Sequence, residues 1–154
     1  MSKLSFKGVL IGGIVDVAAS FVLGIPLAVF VVSKIDMARI PKDQLGAAIT
    51  AAMSGSVALH VAQLVVGLSC SVLGGYTAAR IAKGEELLNG VASAWLCLAL
   101  GIFAIAMGKD HHSVLMQVVM FIASPVMGLL GGYLGFRHNR ALVGTSELEI
   151  QVLK

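Results

Sequence analysis

Four long apolar stretches alternate with short polar ones along the chain. They run from Gly8 to Ser33, about Ser56 to Ala79, about Leu88 to Gly108 and about Ser113 to Phe136. Roughly 20 helical residues cross the hydrocarbon of a bilayer. Only Asp16 is formally charged within these stretches. Lipid offers no partner to backbone N–H and C=O groups, so helices are expected. The two-residue alternation of a membrane barrel is absent. The pattern predicts an all-α membrane protein with one domain of four transmembrane helices. Residues 137–154 follow as a short tail. Its end, Leu148 to Lys154, alternates in a way that suits an added strand, but a disordered end is the expectation.

The connection from Lys34 to Gly55 is the only long one. Pro41 suits a first helical turn, where its missing N–H costs nothing. Leu45, Ala48, Ile49 and Ala52 then recur at helical spacing. A short amphipathic helix at the membrane face, or a prolongation of the second crossing, is expected there. The other connections are short, so the second, third and fourth crossings should be antiparallel neighbours. Pro26 and Pro125 fall inside the first and fourth crossings, where each removes a helical hydrogen bond and predicts a kink.

Composition agrees with a bilayer as solvent. The 154 residues are 58% hydrophobic and 12% charged, with a mean hydropathy of +0.95. Soluble domains carry about 25% charge. The net charge of +3 is too small to argue for nucleic acid. Cys70 and Cys97 lie inside apolar stretches without CxxC spacing and read as small buried residues. The apolar run after Lys3 and Lys7 is longer than the core of a signal peptide and contains Asp16, so a retained first helix is expected.

Lysine and arginine set the expected orientation. With the N-terminus inside, Lys3, Lys7, Arg80, Lys83, Arg137, Arg140 and Lys154 are cytoplasmic, and Lys34, Arg39, Lys42 and Lys109 are outside. The balance favours both termini in the cytoplasm.

The second crossing closes on GGYTAARIAKG at 74–84, and the fourth on GGYLGFR at 131–137. A shift of 57 residues (131 − 74) lays Gly74, Gly75, Tyr76 and Arg80 on Gly131, Gly132, Tyr133 and Arg137. Two tandem helical hairpins follow, with a pseudo-twofold axis along the membrane normal. Helices in lipid associate by close backbone approach at small residues. Gly67, Ser71 and Gly75 recur every fourth position on one helix, as do Gly128 and Gly132 on the other, and Gly12 belongs to a similar row on the first. Tyr76 and Tyr133 fit an interfacial aromatic belt, and Arg80 and Arg137 fit headgroup anchors. A mouth for anionic lipid or substrate is the competing reading of the arginines.

The string GGYTAARIAKGEELLNG resembles the junction between helices two and three in small bacterial four-helix membrane proteins of unknown function. The resemblance implies a bacterial cytoplasmic-membrane protein and brings no catalytic residue.

Asp16 is the residue with the most chemistry. It lies nine positions after Lys7, about 13 Å along a helix axis, near mid-bilayer. A carboxylate there costs about 2.5–3.5 kcal/mol on insertion scales, so it must be paired, hydrated or protonated. Gly8, Gly12, Asp16, Ser20 and Gly24 form one row, which turns Asp16 toward other helices. Counting from Arg80 places Ser69 to Ser71 at its level, and Cys97 is a further partner. No basic side chain shares that depth. Asp16 is therefore either neutral glue between helices or a proton or cation site. Small four-helix drug exporters share the logic of one acid in the first helix, without matching local sequence.

Other polar groups add little. His60, Asp110, His111 and His112 lack metal-binding spacing and read as solvated. Gln63 reads as an interhelical hydrogen-bonding group. No nucleophile–base pair, phosphate loop or cofactor motif is visible, so no enzyme, metal or cofactor is expected. Two functions remain. One is an accessory or assembly module that packs through its small-residue faces, with lipid and a second copy or another membrane protein as partners. The other is a small proton-coupled transporter or channel using Asp16. A water-filled path to Asp16 would favour the second.

Overall fold

The computed structural model describes residues 4–35, 40–82, 84–107 and 114–152, in full apart from the side chains at 50, 53, 54, 104, 114–117 and 142–152. Lys3, Arg39, Lys83, Lys109, Asp110, His111, His112 and Lys154 lie outside the described residues. Five helices follow in order: α1 (Phe6–Ser33), α2 (Leu45–Ser54), α3 (Val57–Ala82), α4 (Glu86–Ala106) and α5 (Val114–Val152). No strand occurs among the described residues. All but α2 are long and apolar enough to cross a membrane. Their outward faces carry exposed Phe21, Ile25, Trp95, Phe103, Ile122 and Val126. A continuous apolar belt of this kind is tolerated in lipid and not in water. The chain is a multi-pass membrane protein.

Local chemistry moves several helix ends. α1 starts at Phe6 because the Ser5 hydroxyl accepts from the Gly8 N–H at 3.2 Å, an N-cap that satisfies one orphan donor. α4 starts at Glu86, two residues before the expected Leu88, because Gly84 and Glu85 take positive φ angles of 151° and 51° and reverse the chain. Only glycine enters the first of these conformations without strain. α2 starts after a turn in which the Gln44 N–H bonds Pro41 O at 2.9 Å. Its Leu45, Ala48, Ile49 and Ala52 are half-buried, and Gly46, Ala47 and Ala51 are exposed.

The tail expectation is corrected. α5 does not stop at Phe136 but continues as helix to Val152. The added residues contain no proline, and elongating an existing helix is far cheaper than nucleating one. Pro26 and Pro125 both lie inside helices that continue past them.

The membrane helices form a ring in the order α1, α3, α5, α4, with α3 and α4 also touching across the short diagonal. α1 and α3 run antiparallel: Gly8 lies against Ala78, and Gly12 against Gly74. α3 and α5 run parallel, with Gly75 against Gly128 and Gly135 against Ala79. α4 and α5 are antiparallel through Gly90 and Gly132, and α1 and α4 are parallel through Gly13 and Leu96.

This ring also corrects the expected twofold. A twofold along the membrane normal exchanges opposite corners, whereas the sequence repeat pairs neighbours, α1 with α4 and α3 with α5. The glycine pairs accordingly make unlike contacts. Gly74 faces α1 and Gly75 faces α5, but Gly131 faces α3 and Gly132 faces α4. The second hairpin lies beside the first.

Backbone approach at these glycines is close. A methyl group on Gly12 would sit 2.6 Å from Gly74 O, and one on Gly90 2.6 Å from Gly128 O. On Gly75 it would run into the Gly128 carbonyl, and on Gly131 into that of Val72. Gly24 and Gly101, by contrast, have open space where a Cβ would be. Gly75→Ala should therefore lower stability in detergent by about 1–3 kcal/mol, the cost of overpacking. Gly24→Ala should not. A thermal melt of the two variants checks this, and equal melting temperatures would place the Gly75 face in lipid.

Candidate functional site

Asp16 sits where the tight and loose halves of the bundle meet. Its residue exposure is 1%. Its Cβ packs against Gly74, which leaves room for no side chain there. Three helices converge on the carboxyl group. The Ser71 hydroxyl of α3 donates to Asp16 Oδ2 at 3.2 Å. The Cys97 thiol of α4 lines the same cavity beside it. Ser71 Oγ lies 3.1 Å from Ser124 Oγ of α5. Ser71 has one proton and gives it to Asp16, so it accepts from Ser124. A chain of hydroxyls thus runs from Ser124 through Ser71 to the acid.

A cavity of about 250 Å³ adjoins this chain. Asp16, Ser20, Ser71, Cys97 and Ser124 line its floor, and Gln63, Gly67, Gly101, Ile105 and Met120 line its upper part. Every step from floor to rim leads toward the face that carries α2. Ser71 to Gln63 and Cys97 to Ile105 each span eight residues, about 12 Å at 1.5 Å per residue. In the opposite direction the glycine contacts close the bundle. Asp16 is therefore at the bottom of a pocket that is sealed toward the chain termini.

The small residues named from the sequence divide between these halves. Gly12, Gly75, Gly128 and Gly132 are buried in helix contacts within the chain. Ser71 is buried and bonded to Asp16. Gly67 is half-buried and lines the cavity, with Met120 Cε 3.1 Å from where a Cβ would lie. Ser69, on the neighbouring face, is exposed and bonds Val65 O instead.

The interface residues gather at the terminal face. Tyr76 Oη lies 3.3 Å from His138 Nδ1, and the two rings meet edge to face at 6.1 Å. Tyr133 and Arg137 are exposed, and Arg80 is half-buried. Arg140 stacks over Phe136 at 4.5 Å. His60 Nδ1 lies 3.3 Å from Ser56 O, near the other face. Among the described residues no cluster of His, Cys, Asp or Glu is arranged to hold a metal ion.

Asn89 is the polar residue the sequence reading missed. It is 0% exposed. Its Oδ1 accepts from the Ser5 N–H at 2.8 Å. Its amide donates to Glu85 O at 2.9 Å and to Gly84 O at 3.3 Å. It ties the α3–α4 turn to the start of α1. An asparagine at the mouth of an apolar stretch, directly before Gly90, was the available signal.

In comparisons with known proteins, no family model, curated protein or solved structure matches this chain.

Substitutions at Asp16 separate shape from charge. Asp16→Asn keeps the volume and an oxygen for Ser71, and should melt with the wild type. Asp16→Leu forces a branched side chain against Gly74 and strips Ser71 of its acceptor. It should lose about 1–3 kcal/mol. Equal stability of the two variants would show that the acid is not packed as described.

Proposed function

We propose that this protein is a small membrane transporter with Asp16 as its proton or cation site. The carrying observation is the cavity that adjoins the Asp16–Ser71–Ser124 chain on the side away from the glycine contacts. A cavity beside a single acid, with the opposite half of the bundle closely packed, is the arrangement that one of the two states of alternating access would have. Intramembrane acids of this kind, facing a cavity, commonly mark ion and substrate paths.

The other reading of the sequence, an accessory module assembling through small-residue faces, draws less support from the packing. Gly12, Gly75, Gly128 and Gly132 meet other helices of the same chain. Those faces are not offered to a partner. The resting place we assign is a bacterial cytoplasmic membrane, with both termini in the cytoplasm and α2 outside. The placement of Lys7, Arg80, Arg137 and Arg140 at the terminal face supports that orientation. Arg80 is half-buried at the same face, and its Nη1 is buried without a hydrogen-bond partner among the described residues. No catalytic step is assigned to the site.

Cys97 reports on this reading, since it lines the cavity while Cys70 is fully buried. In a Cys70→Ser background, a small membrane-impermeant methanethiosulfonate added to intact cells should modify Cys97. A single cysteine placed at Asp43 should react from the same side. A Cys97 that stays inert in both intact and permeabilised cells would show that water does not reach the cavity.

A further inference from the structure

The chemistry of the cavity restricts its occupant in three ways. The first is charge. Asp16 is the only carboxylate among the described lining residues, and none of those described is basic. Cys97 from α4 is the other titratable group beside it. α3 contributes Ser71, with Cys70 buried behind, and α5 contributes Ser124. An ionised Asp16 is therefore balanced only by a cation that enters the pocket. An anionic occupant has no partner there.

The second restriction is the size of the polar floor. Ser71 and Ser124 are only 5% and 7% exposed, and Asp16 less. A quaternary ammonium head carries no N–H and keeps its charge behind a shell of methyl groups. That shell holds its charge away from a carboxylate and gives it no hydrogen bond to donate to so narrow a polar floor. A primary ammonium is compact and has three N–H donors. Oxygen acceptors lie within one small region: the Asp16 carboxylate, the Ser124 hydroxyl and Ser20, with Gln63 higher up. Ser124 donates toward Ser71 when Ser71 serves Asp16, and its lone pairs then remain to accept.

The third restriction is the wall. Leu64, Leu68, Leu98, Ile105, Met120 and Phe121 surround the space above the floor. Its volume of about 250 Å³ falls below the 300–1,000 Å³ of drug-sized sites. The body of the occupant is thus apolar and small, a short chain or a single ring. A groove lined by Val17, Ser20, Phe21, Cys97 and Leu100 shares Ser20 and Cys97 with the cavity. That seam between α1 and α4 gives an amphipathic molecule a route from the lipid side.

We propose that the cavity binds a primary alkyl- or arylalkyl-ammonium ion in exchange for the proton of Asp16. The proposal rests on the transport reading above. The exchange balances simply: the carboxyl O–H breaks, its proton leaves to water, and the ammonium takes its place beside the carboxylate. The site has the same net charge before and after, and no other covalent bond changes.

The test uses the full chain in detergent, in a Cys70→Ser background and weak buffer. The probes are 2-phenylethylammonium, its trimethylated quaternary analogue and the neutral 2-phenylethanol. Two signals are followed, protection of Cys97 from a maleimide and release of protons on binding. 2-Phenylethylammonium should protect Cys97 and release protons. It should do so at concentrations about tenfold or more below those of the other two, as one charge-assisted hydrogen bond implies. Asp16→Asn should still react at Cys97 but lose the proton signal and the preference for the primary amine. A reactive Cys97 with no protection by the amine, or with equal protection by the quaternary analogue, would overturn the amine assignment and leave the transport reading standing. Retained proton release in Asp16→Asn would overturn it as well. A Cys97 that reacts only after unfolding would overturn both.

Discussion

Contact between helix backbones at glycine is the constraint on which the rest of the structure depends. Apolar side chains gain little by leaving lipid for one another, so membrane helices hold together through close packing and hydrogen bonds. In the half of the bundle nearest the termini, Gly12 meets Gly74, Gly75 meets Gly128, and Gly90 meets Gly128 and Gly132. In the other half the facing positions hold Leu64, Leu68, Leu98, Met120 and Phe121. Large residues hold the helices apart where small ones bring them together. The cavity follows from this change in residue size along four helices, and so does its one-sidedness.

Asp16 stands at the boundary between the two halves. A carboxylate at the centre of a membrane helix costs about 2.5–3.5 kcal/mol, and the hydrogen bond from Ser71 offsets part of the cost of burying Asp16. Asp16 is 1% exposed, packed against Gly74 and Ser71, with the cavity adjoining it on the other side. The hydroxyl chain joins α1, α3 and α5 at one level, so under the proposed transport reading a change in the protonation of Asp16 would act on three helices. Such coupling between a proton and the packing of a bundle is what a proton-linked transporter needs.

The membrane crossings were legible because hydropathy over 20 residues depends on nothing distant. The level of Asp16 was legible too: a rise of 1.5 Å per residue counted from Arg80 leads to Ser71. What escaped depended on pairs far apart in the chain. The start of α1 and the α3–α4 turn are both held by Asn89, whose partner Ser5 is 84 residues away. The ring order decides which glycine faces which helix, and no periodicity within one helix encodes it; hence the twofold read from the GGY repeat did not survive. The cavity escaped for the same reason, since it depends on side-chain sizes at one depth on four helices. The helix beyond Phe136 was not legible because chain ends commonly fray, whereas extending a helix already formed costs little.

The central claim is that the Asp16 carboxyl group exchanges protons with water through the cavity. Infrared difference spectroscopy of wild type against Asp16→Asn isolates its carboxylic C=O stretch. The account predicts a band that shifts on transfer to D₂O in the folded protein and disappears on alkaline titration. A band that neither shifts nor titrates while the protein stays folded would make Asp16 a sealed structural contact and would contradict the account.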